Sequence, residues 1–189
     1  MPIWQLLFDG AANHKGCGAG ILLITPDGTH MPWAIKQNFE CTNDMAEYEA
    51  CTIGLKATLS IGLKGLEVYR DSSLVIYQMQ GKWKTKDDKL IPYQEYMEIL
   101  SREFEEITFS YLQRDNNRFV DALATLASMV EMDSKTKAHP FSINLRHQSA
   151  YINHIHALTV DGRPWYANIV NFIRKDDTLK MLQPRRSVS

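Results

Sequence analysis

Cysteine is scarce in this chain. Cys17, Cys41 and Cys51 are the only three in 189 residues, too few and too scattered for a disulfide framework or a zinc site. Such sparse usage fits a reducing compartment. Long apolar runs are also missing. Nothing approaches the roughly 20 residues needed to cross a bilayer, and the short run from Ile3 to Phe8 is broken by Asp9 and has no basic region before it, so it is not a signal peptide. These absences set the expectation of a soluble intracellular chain, in cytoplasm or nucleus, with no membrane partner. Positive charge is short in one part only. Residues 1–130 hold 12 Lys and Arg against 17 Asp and Glu, whereas residues 131–189 hold 9 against 5. A nucleic-acid-binding surface is normally basic, so the acidic first part counts against nucleic acid unless its carboxylates await metal. The Gly-rich stretch GAANHKGCGAG (10–20) lacks the Lys-Ser/Thr of a phosphate-cradling loop and does not open a helix. His154 and His156 lie in an irregular segment without further ligands, which argues against zinc.

What is present is a change of hydrophobic period along the chain. Residues 3–8 and 18–25 are apolar runs of strand length. Pro26-Asp27-Gly28 signals a turn, and His30 to Gln37 is a third strand candidate. From Asn43 to Ser60 the spacing becomes helical, with Ala46, Ala50, Ile53 and Ala57 on one stripe and Met45, Tyr48, Leu55 and Leu59 on its neighbour. A fourth strand (66–69), a helix from about Ser72, a second helix from about Pro92 to Glu105, a fifth strand (107–112) and a closing helix (117–129) follow. The order βββ-α-β-α-α-β-α predicts an α/β domain with a mixed five-stranded sheet. Strands 1–3 form an antiparallel meander, the strand order is 3-2-1-4-5, and helices flank the sheet. Residues 1–130 are read as this domain. Residues 131–189 are read as a partly flexible extension that opens on a polar linker (131–139), with a turn at 161–164, a short helix at 165–174 and a frayed end from Gln183.

Four acidic residues fall at strand ends or helix starts: Asp9, Glu47, Asp71 and Asp121. Each alone has an ordinary explanation. Asp9-Gly10 reads as a turn, Asp44-x-x-Glu47 as a capping box, Asp71 as an N-cap, and Asp121 as a first-turn acid favoured by the helix dipole. Their joint order is less ordinary. Asp9 is expected to close strand 1 and Asp71 to close strand 4, adjacent strands at the point where the sheet order reverses, which is where α/β sheets bind ligands. Clustered carboxylates are the donors that hard divalent cations take. Two such ions about 3.5–4 Å apart form the clamp used for in-line phosphodiester cleavage. A metal-dependent nuclease is therefore the functional expectation. Lys82-Trp83-Lys84-Thr85-Lys86 mixes cations with an aromatic and suits a phosphate backbone, or equally a solvated loop with one packed Trp.

These residues match a known pattern. From about Trp4 to Ser128 the chain resembles type 1 ribonuclease H, in the form found beside reverse transcriptase in plant gypsy-class LTR retrotransposons. The motifs are FDGAANHKGCGAG (8–20), TNDMAEYEA (42–50), VYRDSSLVIYQ (68–78), GKWKTKDDKLIPY (81–93) and RDNNRFVDALATLA (114–127). The resemblance implies a catalytic and metal-ligating set of Asp9, Glu47, Asp71 and Asp121, holding two Mg2+ ions, with Mn2+ able to substitute. It implies hydrolysis of the RNA strand of RNA–DNA hybrids. Ribose 2′-hydroxyls, which mark RNA, would be read near Gly10, Ala11, Asn43 and Ser73. Thr42, Trp83 and Thr85 would lie along the DNA strand, and Arg114 and Asn117 would stand on the loop before the last carboxylate. The implied partners are the hybrid and a reverse transcriptase domain in a parent polyprotein, with the domain itself a monomer.

The departures are specific. Asp44 stands where Asn is frequent beside a DNA phosphate, Arg70 stands where Gly usually precedes the third carboxylate, residues 112–120 contain no His, and there is no basic helix before Trp83. Residues 131–189 resemble the spacer that follows ribonuclease H in such polyproteins, with Arg163-Pro164-Trp165-Tyr166 the clearest echo. The alternative expectation is a catalytically weak or inactive ribonuclease H fold that binds nucleic acid. A nuclease of the same fold acting on DNA or single-stranded RNA is a further one.

Overall fold

A turn at Thr25–Thr29 sets the first half of the sheet. Gly28 takes φ +86° and its N–H donates to the Thr25 carbonyl at 2.9 Å, a backbone shape that glycine adopts without steric cost. The turn joins two strands of the chain's computed structural model, which describes residues 3–130, 143–146 and 148–151. Strands β1 (Trp4–Asn13), β2 (Gly16–Ile24) and β3 (His30–Gln37) form the antiparallel meander, and β1 continues by parallel pairing to β4 (Gly65–Arg70) and β4 to β5 (Glu106–Tyr111). The five strands lie in the expected order 3-2-1-4-5. A sixth strand that periodicity does not reveal, β6 (Ile143–Arg146), joins β3 in parallel, from Ala34 opposite Ile143 to Gln37 opposite Arg146.

The two faces of the sheet follow strand alternation. Trp4, Leu6 and Phe8 of β1 enter the larger core with Ala19, Ile21 and Leu23 of β2. Leu7 and Leu22 point to the other face, where they meet Val120 of α4 (Arg118–Met129). Helix α1 (Asn43–Ser60) packs on the larger core, and α3 (Ile91–Arg102) packs on α1. That placement explains the two apolar stripes read from the sequence. With a sheet on one side and a helix on another, both Ala46, Ala50, Ile53 and Ala57 and Tyr48 and Leu55 are buried. A shorter helix, α2 (Ser73–Met79), and a 3-10 turn (Arg114–Asn116) complete the described elements.

Several local expectations are corrected. Asp9 does not end β1 or make a turn; the strand runs on to Asn13, with Asp9 opposite Gly20. Only the parallel pairing with β4 stops before it, at Leu7 opposite Tyr69. Helix α1 is capped by Thr42, whose hydroxyl accepts from Met45 N–H at 3.2 Å, so Asp44 and Glu47 are not a capping box. Helix α2 is capped by Ser72, not Asp71. Cys17 and Cys41 form a disulfide, with Cα atoms 6.4 Å apart, while Cys51 is free and buried. Spacing in sequence could not show that pair, because β2 and the loop before α1 meet only in the fold.

Beyond Val130, residues 149–151 also touch the domain. The Ala150 N–H donates to Glu49 Oε1 at 2.8 Å, and Tyr151 meets Tyr93 edge-on with ring centroids 4.8 Å apart. The linker at 131–139, the His154–His156 pair, the turn at 161–164, the helix at 165–174 and the chain end lie outside the described residues. Among the described residues, no helix is long and apolar enough to cross a membrane.

Candidate active site

Two close approaches assemble the site. A Cβ on Gly10 would fall 2.2 Å from the backbone of Ala46 and Glu47, so α1 lies directly on β1 here and Glu47 is delivered beside Asp9. A Cβ on Gly20 would fall 2.2 Å from the Val120 carbonyl, so α4 lies equally close to β2 on the other face, one residue from Asp121. Any side chain at either position would force a helix away from the sheet. Gly10 and Gly20 of the Gly-rich stretch thus have a packing role.

The result is one cleft of about 470 Å³ lined by Asp9, Glu47, Asp71 and Asp121, together with Gly10, Ala11, Asn43, Arg70 and Arg114 among others. Asp9 is buried, Glu47 and Asp71 are partly buried, and Asp121 is exposed. Asn117 is buried and its amide donates weakly to Asp9 Oδ2, at 3.4 Å. Asn43 is held by its oxygen, which accepts the Ala12 N–H at 2.8 Å. The remaining predicted contact residues stand outside the cleft. Thr42 caps α1 and Ser73 begins α2. Trp83 is 57% exposed and stacks obliquely on Tyr77 at 5.6 Å. Thr85 donates its N–H to Gln94 at 3.0 Å.

The centre of the cleft is not carboxylate alone. Arg70, only 5% exposed, places Nη2 at 2.8 Å from Asp9 Oδ1 and 2.7 Å from Glu47 Oε1, while Nη1 pairs with Asp71. Its guanidinium also lies 6.0 Å from the centre of the Phe8 ring. The sequence shows a cation next to Asp71. That the same side chain reaches β1 and α1 is visible only in three dimensions.

This arrangement shifts the acids. Burial raises the Asp9 carboxyl to about 7; Arg70 opposes that rise, and Glu47, Asp71 and Asp121 reinforce it. Glu47 is raised by burial too, against the pull of Arg70. Burial would lower Arg70, but Glu47, Asp9 and Asp71 more than offset it and its affinity for the proton rises. Buried carboxylates whose ionisation is opposed by burial and by one another gain from added positive charge, which is the chemistry of a cation site.

Among the described residues no three acidic, His or Cys side chains stand ready to share one metal ion. The donor set still fits a hard divalent cation. All four groups supply carboxylate oxygens, three already converge on a positive group, and Glu47 Oε2 is buried with no partner among the described residues.

Known proteins agree with the fold. Residues 7–127 match the reverse transcriptase-like family. The chain is 32% identical over 117 residues to the bifunctional protein Rv2228c of Mycobacterium tuberculosis, covering 61% of this chain and 32% of that protein. It is 31% identical over 122 residues to ribonuclease HI of Halobacterium salinarum, covering 64% of this chain and 61% of the relative. It thus spans less than two thirds of the length of either curated relative. Among solved structures, the N-terminal RNase H domain of the mycobacterial protein superposes with a TM-score of 0.59 at 28% identity, over 68% of this chain and 94% of that one. LC11-RNase H1 in complex with an RNA/DNA hybrid does so at 0.56 and 26%, over 65% and 94%. With strand order, cleft and family match in agreement, the chain belongs to the reverse transcriptase-like family and carries a ribonuclease H-like domain.

Proposed function

We propose that the protein is a metal-dependent endonuclease that hydrolyses the RNA strand of RNA–DNA hybrids. The observation that carries this reading is the convergence of Asp9, Glu47, Asp71 and Asp121 in one cleft beside Asn43 and the Gly10–Ala11 backbone. The four carboxylates would hold two Mg2+ ions, with Mn2+ able to substitute. Bound there, the metal supplies an activated water and charge neutralisation at the phosphate. Water attacks phosphorus, the bond to the 3′-oxygen breaks, and the products are a 3′-hydroxyl and a 5′-phosphate. The chain's own groups do the reading. Asn43, fixed through its oxygen, keeps its amide N–H groups to donate to a ribose hydroxyl, and Gly10 and Ala11 let the sugar approach the backbone. Thr42, Ser73, Trp83 and Thr85 extend the contact surface outside the cleft, and Arg114 and Asn117 support it from the α4 side.

The motif resemblance supports an origin in a gypsy-class polyprotein of plant type, and the family match supports only the reverse transcriptase-like kinship. The domain would act as a monomer in cytoplasm or nucleus, where the Cys17–Cys41 pair would be held reduced. A second reading, a weakly active or inactive module that binds nucleic acid, is favoured by one observation: the Arg70 guanidinium occupies the middle of the acidic group. One assay separates them. Purified full-length protein is offered labelled hybrid, double-stranded RNA, duplex DNA and single-stranded RNA, with Mg2+, Mn2+ or EDTA. Cleavage of the hybrid's RNA strand that needs the metal is the expected result. Hybrid binding without cleavage in either metal would establish the second reading.

A further inference from the structure

Arg70 is placed by backbone that does not depend on its side chain. It ends β4 opposite Tyr111 of β5, and its carbonyl accepts the Leu112 N–H at 2.8 Å. Asp71 follows at once, so its backbone is positioned whether or not the guanidinium is in place. The side chain turns inward and reaches three elements: Asp9 on β1, Glu47 on α1 and Asp71 after β4. These are three of the four groups to which the proposed function assigns the metal.

The contact is strong in charge and incomplete in hydrogen bonding. Among the described residues, Arg70 Nε is buried with no hydrogen-bond partner, and so is Glu47 Oε2. A buried ion pair repays its desolvation only when its remaining protons and lone pairs are satisfied, and here one of each is not. Arginine stays protonated throughout the accessible pH range, so its charge cannot be removed by titration. It must be moved. Only side-chain torsions need change, since the strand pairing and the Leu112 hydrogen bond hold the backbone.

We infer that Arg70 is a resident counter-cation that competes with divalent metal for Asp9, Glu47 and Asp71, so that metal enters only as the guanidinium swings out. This rests on the metal-dependent reading of the same cleft. Without metal the side chain neutralises part of the acidic group and holds β1, α1 and β4 together. With metal it is displaced, and the apparent metal affinity is reduced by the fraction of molecules in which the guanidinium is out. A residue with no side chain at this position would leave the carboxylates open at all times.

The test is Mn2+ binding to full-length protein, followed by electron paramagnetic resonance and calorimetry, for wild type, Arg70→Gln and Arg70→Lys. Gln has no charge and should bind Mn2+ at least tenfold tighter than wild type, about 1.4 kcal/mol. Lys keeps the charge as a single point that cannot bridge three carboxylates, and should fall between the two. In EDTA both variants should melt below wild type, and both should gain more from added Mn2+ than wild type gains. Equal Mn2+ affinity in wild type and a folded Arg70→Gln would overturn the inference while leaving the metal centre standing. No Mn2+ binding by any of the three proteins at millimolar concentration would overturn the metal-dependent reading, and the inference with it. If Arg70→Gln does not fold, Arg70→Lys decides: unchanged affinity overturns the inference, and a rise of threefold or more supports it.

Discussion

Glu47 and Glu49 stand two residues apart on α1 and are treated in opposite ways. Residues at that spacing point to different faces of a helix, and the two faces meet different chemistry. Glu47 looks into the cleft and shares the Arg70 guanidinium with Asp9 and Asp71. Glu49 is fully buried on the other side, where the Tyr93 hydroxyl donates to it at 2.5 Å and the Ala150 N–H at 2.8 Å. Burial and the Glu49 charge push the Tyr93 hydroxyl upward, so it stays protonated and remains a donor. One carboxylate is held by a cation that a ligand can replace, and the other by neutral donors that belong to the fold. The difference separates a residue kept for chemistry from one kept for structure.

The largest effect should come from the cleft. Asp71→Asn keeps the shape and removes charge, and should lower hybrid cleavage by about a thousandfold or more, near 4 kcal/mol in the barrier. Its circular dichroism and hybrid affinity should match wild type. Substantial cleavage by this variant would break the assignment of the cleft to catalysis. On the structural side, Glu49→Ala should cost about 2–4 kcal/mol in urea unfolding, because it strips a buried hydroxyl and a buried N–H of their acceptor. Mn2+ affinity should not change. A variant as stable as wild type would mean that Glu49 contributes nothing to the fold.

Asp9 gives a smaller effect of opposite sign. Its carboxyl titrates near 7 in the fold against 3.8 ordinarily. Between those values the folded state holds a proton that the unfolded state has released, so in EDTA stability falls as pH rises from about 4 to 7. Asp9→Asn removes that slope and should raise the melting temperature in EDTA above pH 7, by about 1–3 kcal/mol of stability, while abolishing cleavage. A lower melting temperature at pH 7.5 would show that the Arg70 contact outweighs the burial of Asp9. The smallest effect lies outside both faces, in the loop that carries Lys82, Lys84 and Lys86. Salt weakens binding with a log–log slope of about −0.9 per phosphate contacted. Changing all three to Ala should make that slope shallower by about one to two units, and an unchanged slope would mean that the loop does not touch the backbone.

The comparison also shows what was legible in advance. The meander, the strand order and the four carboxylates follow from period changes and motif spacing, which are local signals. Glu49 gave none, since a buried acid on a helix is recognisable only once Tyr93 and Ala150 are beside it. Arg70 was visible as a cation next to Asp71, but its reach to Asp9 and Glu47 depends on β1, α1 and β4 converging. The caps shifted by one or two residues, to Thr42 and Ser72, because Asp and Ser/Thr compete for the same role at neighbouring positions. Ile143-Asn144-Leu145-Arg146 is too short for periodicity to speak. Its strand character comes from the partner it finds in β3.

That last pairing has a consequence for how the molecule meets its own copies. A strand at the rim of a sheet offers unpaired N–H and C=O groups to any other chain that can line up with it. Residues 143–146 cover Ala34 to Gln37 of β3, so the groups on that stretch of the rim are taken from within. A chain cut after Val130 leaves this stretch open, and self-association through it becomes available at high concentration. On this view residues 143–146, a strand of only four residues, shield that stretch of the β3 rim from other chains.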